Sequence, residues 1–496
     1  MAFIGFGSVL WADPAALFQE NCAECHGADR MGGIGPALIP QTLARIGGPK
    51  IAEVILIGRP GTEMQGFADQ LSADQAEQLA AYLKTPLAEQ PHWDAAQIQA
   101  SLAMNEDYVA VDAPVWPSDP MNITLIEETG DHHFSVLDGD TFDVLDRFKT
   151  PFAVHGAPKF TPDGRYVFIM SRDGWVQKYD LWGLSEVGRV RAGLNSRNIA
   201  ISHDGKWLAV ANYMPGTLTL LSTDDLSVAA VHLIADKNGT PSRVSAVYSR
   251  PTAESFVLAL KDVPEMWEVF YGPNPPFYGF VHDYRIEGPP PEADPFPMRR
   301  ITLPEVLDNF YFDPSFEYVV AASQSGDGGA VIDLVIGHKI ADLDLPGMPH
   351  LGSGVTWQMG DRTVMATPHL KDSTISLVDM TTWETVSRIT TDGPGIFMRS
   401  HANSPYLWAD VFFGPNKDAV HVIDKQSLEI VTTLRPEPGA TVAHVEFTRD
   451  GAYALLSVWE EDGAVIVLDA KSFAEVKRLP MRKPLGKYNV GGKIGQ

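Results

Sequence analysis

Phe160-Thr161-Pro162-Asp163-Gly164 joins two apolar runs through a tight Asp-Gly turn, and its echoes along the chain decide the fold. Ile201-Ser202-His203-Asp204-Gly205 and Phe447-Thr448-Arg449-Asp450-Gly451 repeat it closely, and looser forms begin at Tyr248, Tyr311, Trp357 and Ser400. Successive starts are 41, 47, 63, 46, 43 and 47 residues apart. Asp-Gly and Pro turns of this kind close hairpins between two strands. The runs that follow (166–170, 207–211, 318–322 and 454–458) are continuously apolar, as strands covered on both faces by neighbouring blades must be. A period in the forties with several short strands per unit means a β-propeller. Seven units carry the signal, and strands around 122–137 supply an eighth. Eight blades are therefore expected over 120–496, with seven as the alternative. The 63-residue gap holds an insertion over 262–299, rich in proline and aromatics.

Ahead of the propeller stands Cys22-Ala23-Glu24-Cys25-His26, which holds the only two cysteines of the 496 residues. This is the attachment sequence of a c-type heme: both thiols add to the vinyl groups, and the adjacent His26 becomes an axial iron ligand. Asp13 can cap a helix leading to the cysteines, and Ser72-Ala73-Asp74-Gln75 is a capping box opening a second helix with Leu79, Tyr82 and Leu83 on its apolar side. The stretch 13–86 thus reads as an α-helical class I cytochrome c domain. Met64, 38 residues beyond His26, is the candidate sixth ligand. The alternative is a core methionine, with the iron five-coordinate or bound by a histidine such as His92. Residues 87–119 read as a linker with a short helical patch at 94–103.

Net charge is −25. A surface so acidic repels nucleic acid and anionic membranes. Residues 1–12 (MAFIGFGSVLWA) are apolar but too short to span a bilayer; they read as the remnant of a signal peptide or as a buried first strand. No other stretch approaches a membrane span. Covalent heme attachment takes place outside the cytoplasm, so the periplasm is the expected address.

Histidines near unit starts are the informative channel candidates: His155, His350 and His444, with His401 in a similar place. Each alone reads as a hydrogen-bonded structural residue; several at equivalent blade positions converge on one face and suit a metal or cofactor. Arg172, Arg197 and Arg243 read either as surface ion pairs or as a cluster for an anionic ligand.

A Cys-x-x-Cys-His domain joined to an eight-bladed propeller resembles the cytochrome cd1 family over nearly the whole chain. Phe152-Ala153-Val154-His155, Ser171-Arg172-Asp173-Gly174, Pro349-His350-Leu351-Gly352 and Ser457-Val458-Trp459 carry the likeness. Phe152–His155 is similar to the segment that brings a histidine to the heme d1 iron in the nitrite reductase branch, which also has two distal histidines. One corresponds to His350. At the other place the chain reads Leu307-Asp308-Asn309-Phe310, with His282 in the insertion as the nearby substitute. The chain is closer to the branch that oxidises a propionate of dihydro-heme d1 to an acrylate, the last step of heme d1 biosynthesis. That resemblance implies His350 as the d1-iron ligand, His444 and Tyr488 as the catalytic pair, and the arginines as partners of the tetrapyrrole carboxylates. It also implies an electron acceptor protein, and contact with the cytochrome cd1 nitrite reductase and other heme d1 biosynthesis proteins. A nitrite reductase and a heme d1 carrier without chemistry are the alternatives.

Overall fold

The computed structural model describes residues 13–494, apart from 34, 45, 60–63, 90, 152, 277–293 and 327. The signal-remnant reading and His282 lie outside the described residues. The chain divides into two units, Met1–Trp93 and Asp94–Gln496.

Among the described residues the first unit contains four helices: Pro14–Asn21, Ala23–His26, Gly48–Ile57 and Ala73–Leu83. The Asp13 carboxylate accepts the Ala15 N–H at 3.0 Å, and Pro14 opens the first helix, where its missing N–H costs nothing. Ser72 and Gln75 form the expected reciprocal box, with bonds of 2.9 and 3.3 Å. Phe18, Ile51, Ile55, Leu79 and Leu83 make the core. Gly48–Ile57 is a helix that the sequence reading passed over; it starts at Gly47 without a side-chain cap.

The second unit is an eight-bladed propeller of antiparallel sheets. Each expected turn joins the first and second strands of its blade, and Gly164, Gly205 and Gly451 take φ of 70–75° there. The apolar runs are second strands, buried as expected. The first blade, with strands Thr124–Glu128, His133–Leu137 and Val144–Lys149, receives its innermost strand from the far end of the chain: Pro484–Asn489 pairs with Thr124–Glu128, setting Tyr488 opposite Leu125. This closure removes the open edge of the ring.

Two boundaries differ from expectation. The insertion is shorter than 262–299, because Glu265–Phe270 and Met298–Thr302 are themselves paired strands of the fourth blade. Residues 94–119 are part of the propeller unit rather than a free linker. Asp94 and Gln97 box-cap a helix, Ala95–Ala100, and Ala103–Met104 adds a fifth strand to the second blade. Trp116 Nε1 donates to the Leu181 carbonyl at 2.9 Å. Gly188 is required under this strand, since a Cβ there would lie 2.7 Å from the Met104 sulfur.

Candidate functional site

In the helical unit, Cys22 ends the first helix and His26 ends the short second one. Both cysteines are free thiols, and burial followed by the nearby Cys25 pushes Cys22 up to about 11. His26 is buried, and its Nδ1 donates to the Pro36 carbonyl at 2.8 Å. That bond fixes the neutral tautomer and leaves the Nε2 lone pair available to a metal. Burial also holds the ring below its usual range, which keeps that lone pair free at neutral pH. Gly35 packs flat on the imidazole; a Cβ there would lie 2.6 Å from Cε1. Two adjacent thiols and one aimed nitrogen fit a covalent c-type heme. Met64 is half-buried and accepts the Arg59 N–H at 2.9 Å, where Gly58 and Gly66 meet backbone to backbone.

The propeller gathers its candidates at the starts of the innermost strands. His155 precedes the first strand of the second blade, His350 precedes that of the sixth, and His444 lies within Val442–Phe447, the first strand of the eighth. His401 is different. It sits in the turn after the first strand of the seventh blade, at the opposite end, with Nε2 3.1 Å from the Arg449 carbonyl.

His350, Phe397, His444 and Tyr488 form a row contributed by four blades. Ring centroids are 6.3 Å apart from His350 to Phe397, 4.7 Å from Phe397 to His444 and 5.5 Å from His444 to Tyr488. His350 Nδ1 donates to the Ile396 carbonyl at 2.9 Å, with Ser353 Oγ at 3.0 Å, so its Nε2 is the atom open to a metal. Burial, and secondarily Arg197, holds this ring below its usual range. His444 has a left-handed backbone, φ 54°, in a bulged strand. Its Nδ1 accepts the Lys487 N–H at 3.3 Å. Burial lowers its pKa well below the usual value, helped by Lys487, Lys493 and Arg399. Burial first, then Glu127 and Glu446, raises Tyr488 well above its own. Both groups are uncharged at pH 7.

The three arginines differ in their surroundings. Arg243 is held by Asp262 through bonds of 2.9 and 2.5 Å. Arg197 Nη1 lies 2.5 Å from His155 Nε2, while the Arg197 carbonyl accepts from His155 Nδ1 at 2.8 Å. Both nitrogens of His155 are therefore engaged in this structure. Arg172 is half-buried in the turn beside them; its N–H donates to the Ala153 carbonyl and its carbonyl accepts from Ser196.

Sequence reasoning missed a buried group of charged side chains near Tyr488. Arg399 pairs with the buried Glu446 through bonds of 3.2 and 3.1 Å, and Lys493 lies 3.8 Å from the same carboxylate and 5.8 Å from the Tyr488 ring centre. Burial pushes Lys487 and Lys493 down to about 7, and Glu127 up to about 8. The signal was present in Pro484–Asn489 and the residues after it, where lysines interrupt an apolar strand. At the place of the absent second histidine, Asn309 lies beside the His350 loop: a Cβ on Gly352 would be 3.3 Å from its amide nitrogen. Tyr248 OH donates to Asn309 Oδ1 at 3.4 Å.

Residues 118–284 and 290–493 match the Cytochrome D1 heme domain, and residues 9–83 match the family of the cbb3-type cytochrome c oxidase subunit III. Dihydro-heme d1 dehydrogenase of Pseudomonas aeruginosa is 49% identical over 97% of this chain and 94% of its own length. Nitrite reductase of Stutzerimonas stutzeri is 22% identical over 96% of this chain and 91% of its own. A solved structure, dihydro-heme d1 dehydrogenase NirN in complex with DHE, superposes with a TM-score of 0.90 at 48% identity, covering 97% of this chain and all of that one. Among the described residues no helix is long and apolar enough to cross a membrane.

Proposed function

Because the chain belongs to the Cytochrome D1 heme domain family, we infer from its row of site residues and its near-full-length likeness to the dehydrogenase that it is a dihydro-heme d1 dehydrogenase. It oxidises a propionate side chain of dihydro-heme d1 to the acrylate. The observation that carries this reading is the His350–Phe397–His444–Tyr488 row, which puts an imidazole fit for the substrate iron and two proton-handling groups along one wall.

Turning –CH2–CH2– into –CH=CH– releases two electrons and two protons. Cys22, Cys25, His26 and Met64 would hold a covalent heme, which would supply a one-electron acceptor. His350 Nε2 binds the substrate iron. Arg197, Arg172 and Arg243, joined by Arg399 and Lys493, offer cations to the tetrapyrrole carboxylates. His444 and Tyr488 face the side chain being oxidised. Held far below its usual pKa, the His444 imidazole passes on any proton it takes, while Tyr488, held far above its own, keeps its hydroxyl proton at pH 7 and relays one only as it gives up its own. His155 belongs to the cofactor-binding set through Arg197, whose guanidinium lies 2.5 Å from its Nε2.

Attachment of a covalent heme outside the cytoplasm supports a periplasmic address. There an electron acceptor protein reoxidises it, and the nitrite reductase and other heme d1 biosynthesis proteins are the partners for handing over the product. Mixing the purified protein with dihydro-heme d1, while following the pigment and the c-heme bands together, tests the reading. Conversion with c-heme reduction is expected. Binding without conversion would make the protein a carrier, and nitric oxide from nitrite would make it a reductase.

A further inference from the structure

Asp410 ends the second strand of the seventh blade, Tyr406–Asp410, and is 2% exposed among Leu407, Trp408 and Ala409. A carboxylate in such surroundings must be compensated by hydrogen bonds. It has three, all to main chain. Oδ1 accepts the N–H groups of Ile396 and Phe397 at 2.9 and 3.0 Å, and Oδ2 accepts that of His444 at 3.2 Å. Burial lifts Asp410 to about 6, while three N–H donors and the nearby Lys487 favour the ionised form.

The Phe397 N–H and the Ile396 C=O belong to the same peptide group. A single line of hydrogen bonds therefore runs from the Asp410 carboxylate, through that peptide, to His350 Nδ1. An anion accepting at the peptide nitrogen makes the carbonyl oxygen a stronger acceptor, and chains of this kind reinforce one another in a low-dielectric interior. A stronger acceptor at Nδ1–H makes the imidazole a better electron donor at Nε2, as carboxylates do when they bond a metal-binding histidine directly. The other oxygen holds the backbone of His444, whose left-handed φ is costly for a residue with a side chain and needs an anchor. Gly395 makes the approach possible, since its α-carbon faces the Asp410 main chain with no room for a Cβ.

We propose that Asp410 is the shared positioning residue of the site, setting the donor strength of His350 through the Ile396–Phe397 peptide and the place of His444 through its main-chain N–H. The proposal rests on the reading of His350 as the ligand of the substrate iron. Ser353 Oγ also reaches His350 Nδ1, so it provides the control.

The test is Asp410→Asn beside Ser353→Ala and His350→Ala, each loaded with heme d1. The readouts are the visible spectrum, the iron–imidazole stretch of the ferrous form and the conversion rate. Second-shell partners of metal-bound histidines are worth about 10–100-fold. Asp410→Asn is expected to lose that factor in rate and to lower the stretch frequency, while Ser353→Ala moves both much less. A purely structural role would lower thermal stability and the loaded fraction but leave the spectrum of the loaded fraction unchanged, and that result overturns the proposal. If His350→Ala itself leaves the spectrum unchanged, the ligand reading has failed instead. Should Asp410→Asn not fold, Asp410→Glu keeps the charge but displaces it by one methylene; unchanged spectrum and rate in that variant also overturn the proposal.

Discussion

Tyr488 lies folded over Gly486: a Cβ on Gly486 would stand 2.7 Å from the Tyr488 ring carbons Cζ and Cε2. Both are on the closing strand Pro484–Asn489, two residues apart and so on one face of it. The missing side chain at 486 is what lets the phenol lie along the strand. Gly486→Ala should therefore displace the hydroxyl and slow conversion about as much as Tyr488→Phe. In a Tyr488→Phe background the same change should add little further loss, since two changes that act through one group are not additive. Full additivity in turnover assays of the four proteins would show that Gly486 matters for another reason.

His444 and Tyr488 separate an enzyme from a carrier. General acid–base groups are typically worth about 10²–10⁴-fold in rate. His444→Ala and Tyr488→Phe should slow oxidation of dihydro-heme d1 within that range while leaving its binding nearly intact. Phenylalanine keeps the ring packed 5.5 Å from His444, so a slowed rate cannot be put down to lost packing. Wild-type turnover in both variants, measured in single-turnover mixing, would remove these residues from the chemistry.

Affinity should fall as pH rises above 7. Lys487 and Lys493 are held at about 7 by burial, against a usual 10.5. Carboxylates of the ligand favour the ammonium forms, so binding raises these pKa values and draws in protons when the free lysines are neutral. Each lysine so coupled weakens binding by up to about tenfold per pH unit. Glu127, near 8, adds to the same trend as it ionises. Titration calorimetry in buffers of different ionisation enthalpy should show proton uptake at pH 8, reduced in Lys493→Met. Release of protons would reverse the sign and rule out the coupling.

Much of this was written locally in the chain. Asp-Gly turns and apolar second strands are short-range features, so the blades and the end at which His155, His350 and His444 collect could be read directly. What escaped reading depends on closure. Lys487 and Lys493 reach the Arg399–Glu446 pair because Pro484–Asn489 returns to the first blade, a pairing of residues more than 350 positions apart. No periodicity reports it. The helix Gly48–Ile57 escaped for a different reason: its Ile51-Ala52-Glu53-Val54-Ile55-Leu56-Ile57 run is β-branched and apolar on several sides, and no side chain caps its start. His401 was grouped wrongly with the channel histidines because distance from a turn signal does not say on which side of the first strand a residue falls.

The heme of the helical unit allows a test by color. A histidine–methionine pair around the iron gives a weak red absorption band and a raised potential. Met64 is presented where Gly58 and Gly66 cross, and both glycines are needed there: a Cβ on Gly58 would be 2.6 Å from the Gly66 nitrogen, and one on Gly66 2.8 Å from the Ile57 carbonyl carbon. Met64→Ala should abolish the band in the oxidised protein while Cys22 and Cys25 keep the heme attached, so denatured protein still shows the c-heme spectrum. The potential should fall, and electron transfer from the propeller-bound substrate should slow with it. His92→Ala should leave the band in place. If the band survives loss of Met64 and disappears with His92, the sixth ligand is the histidine.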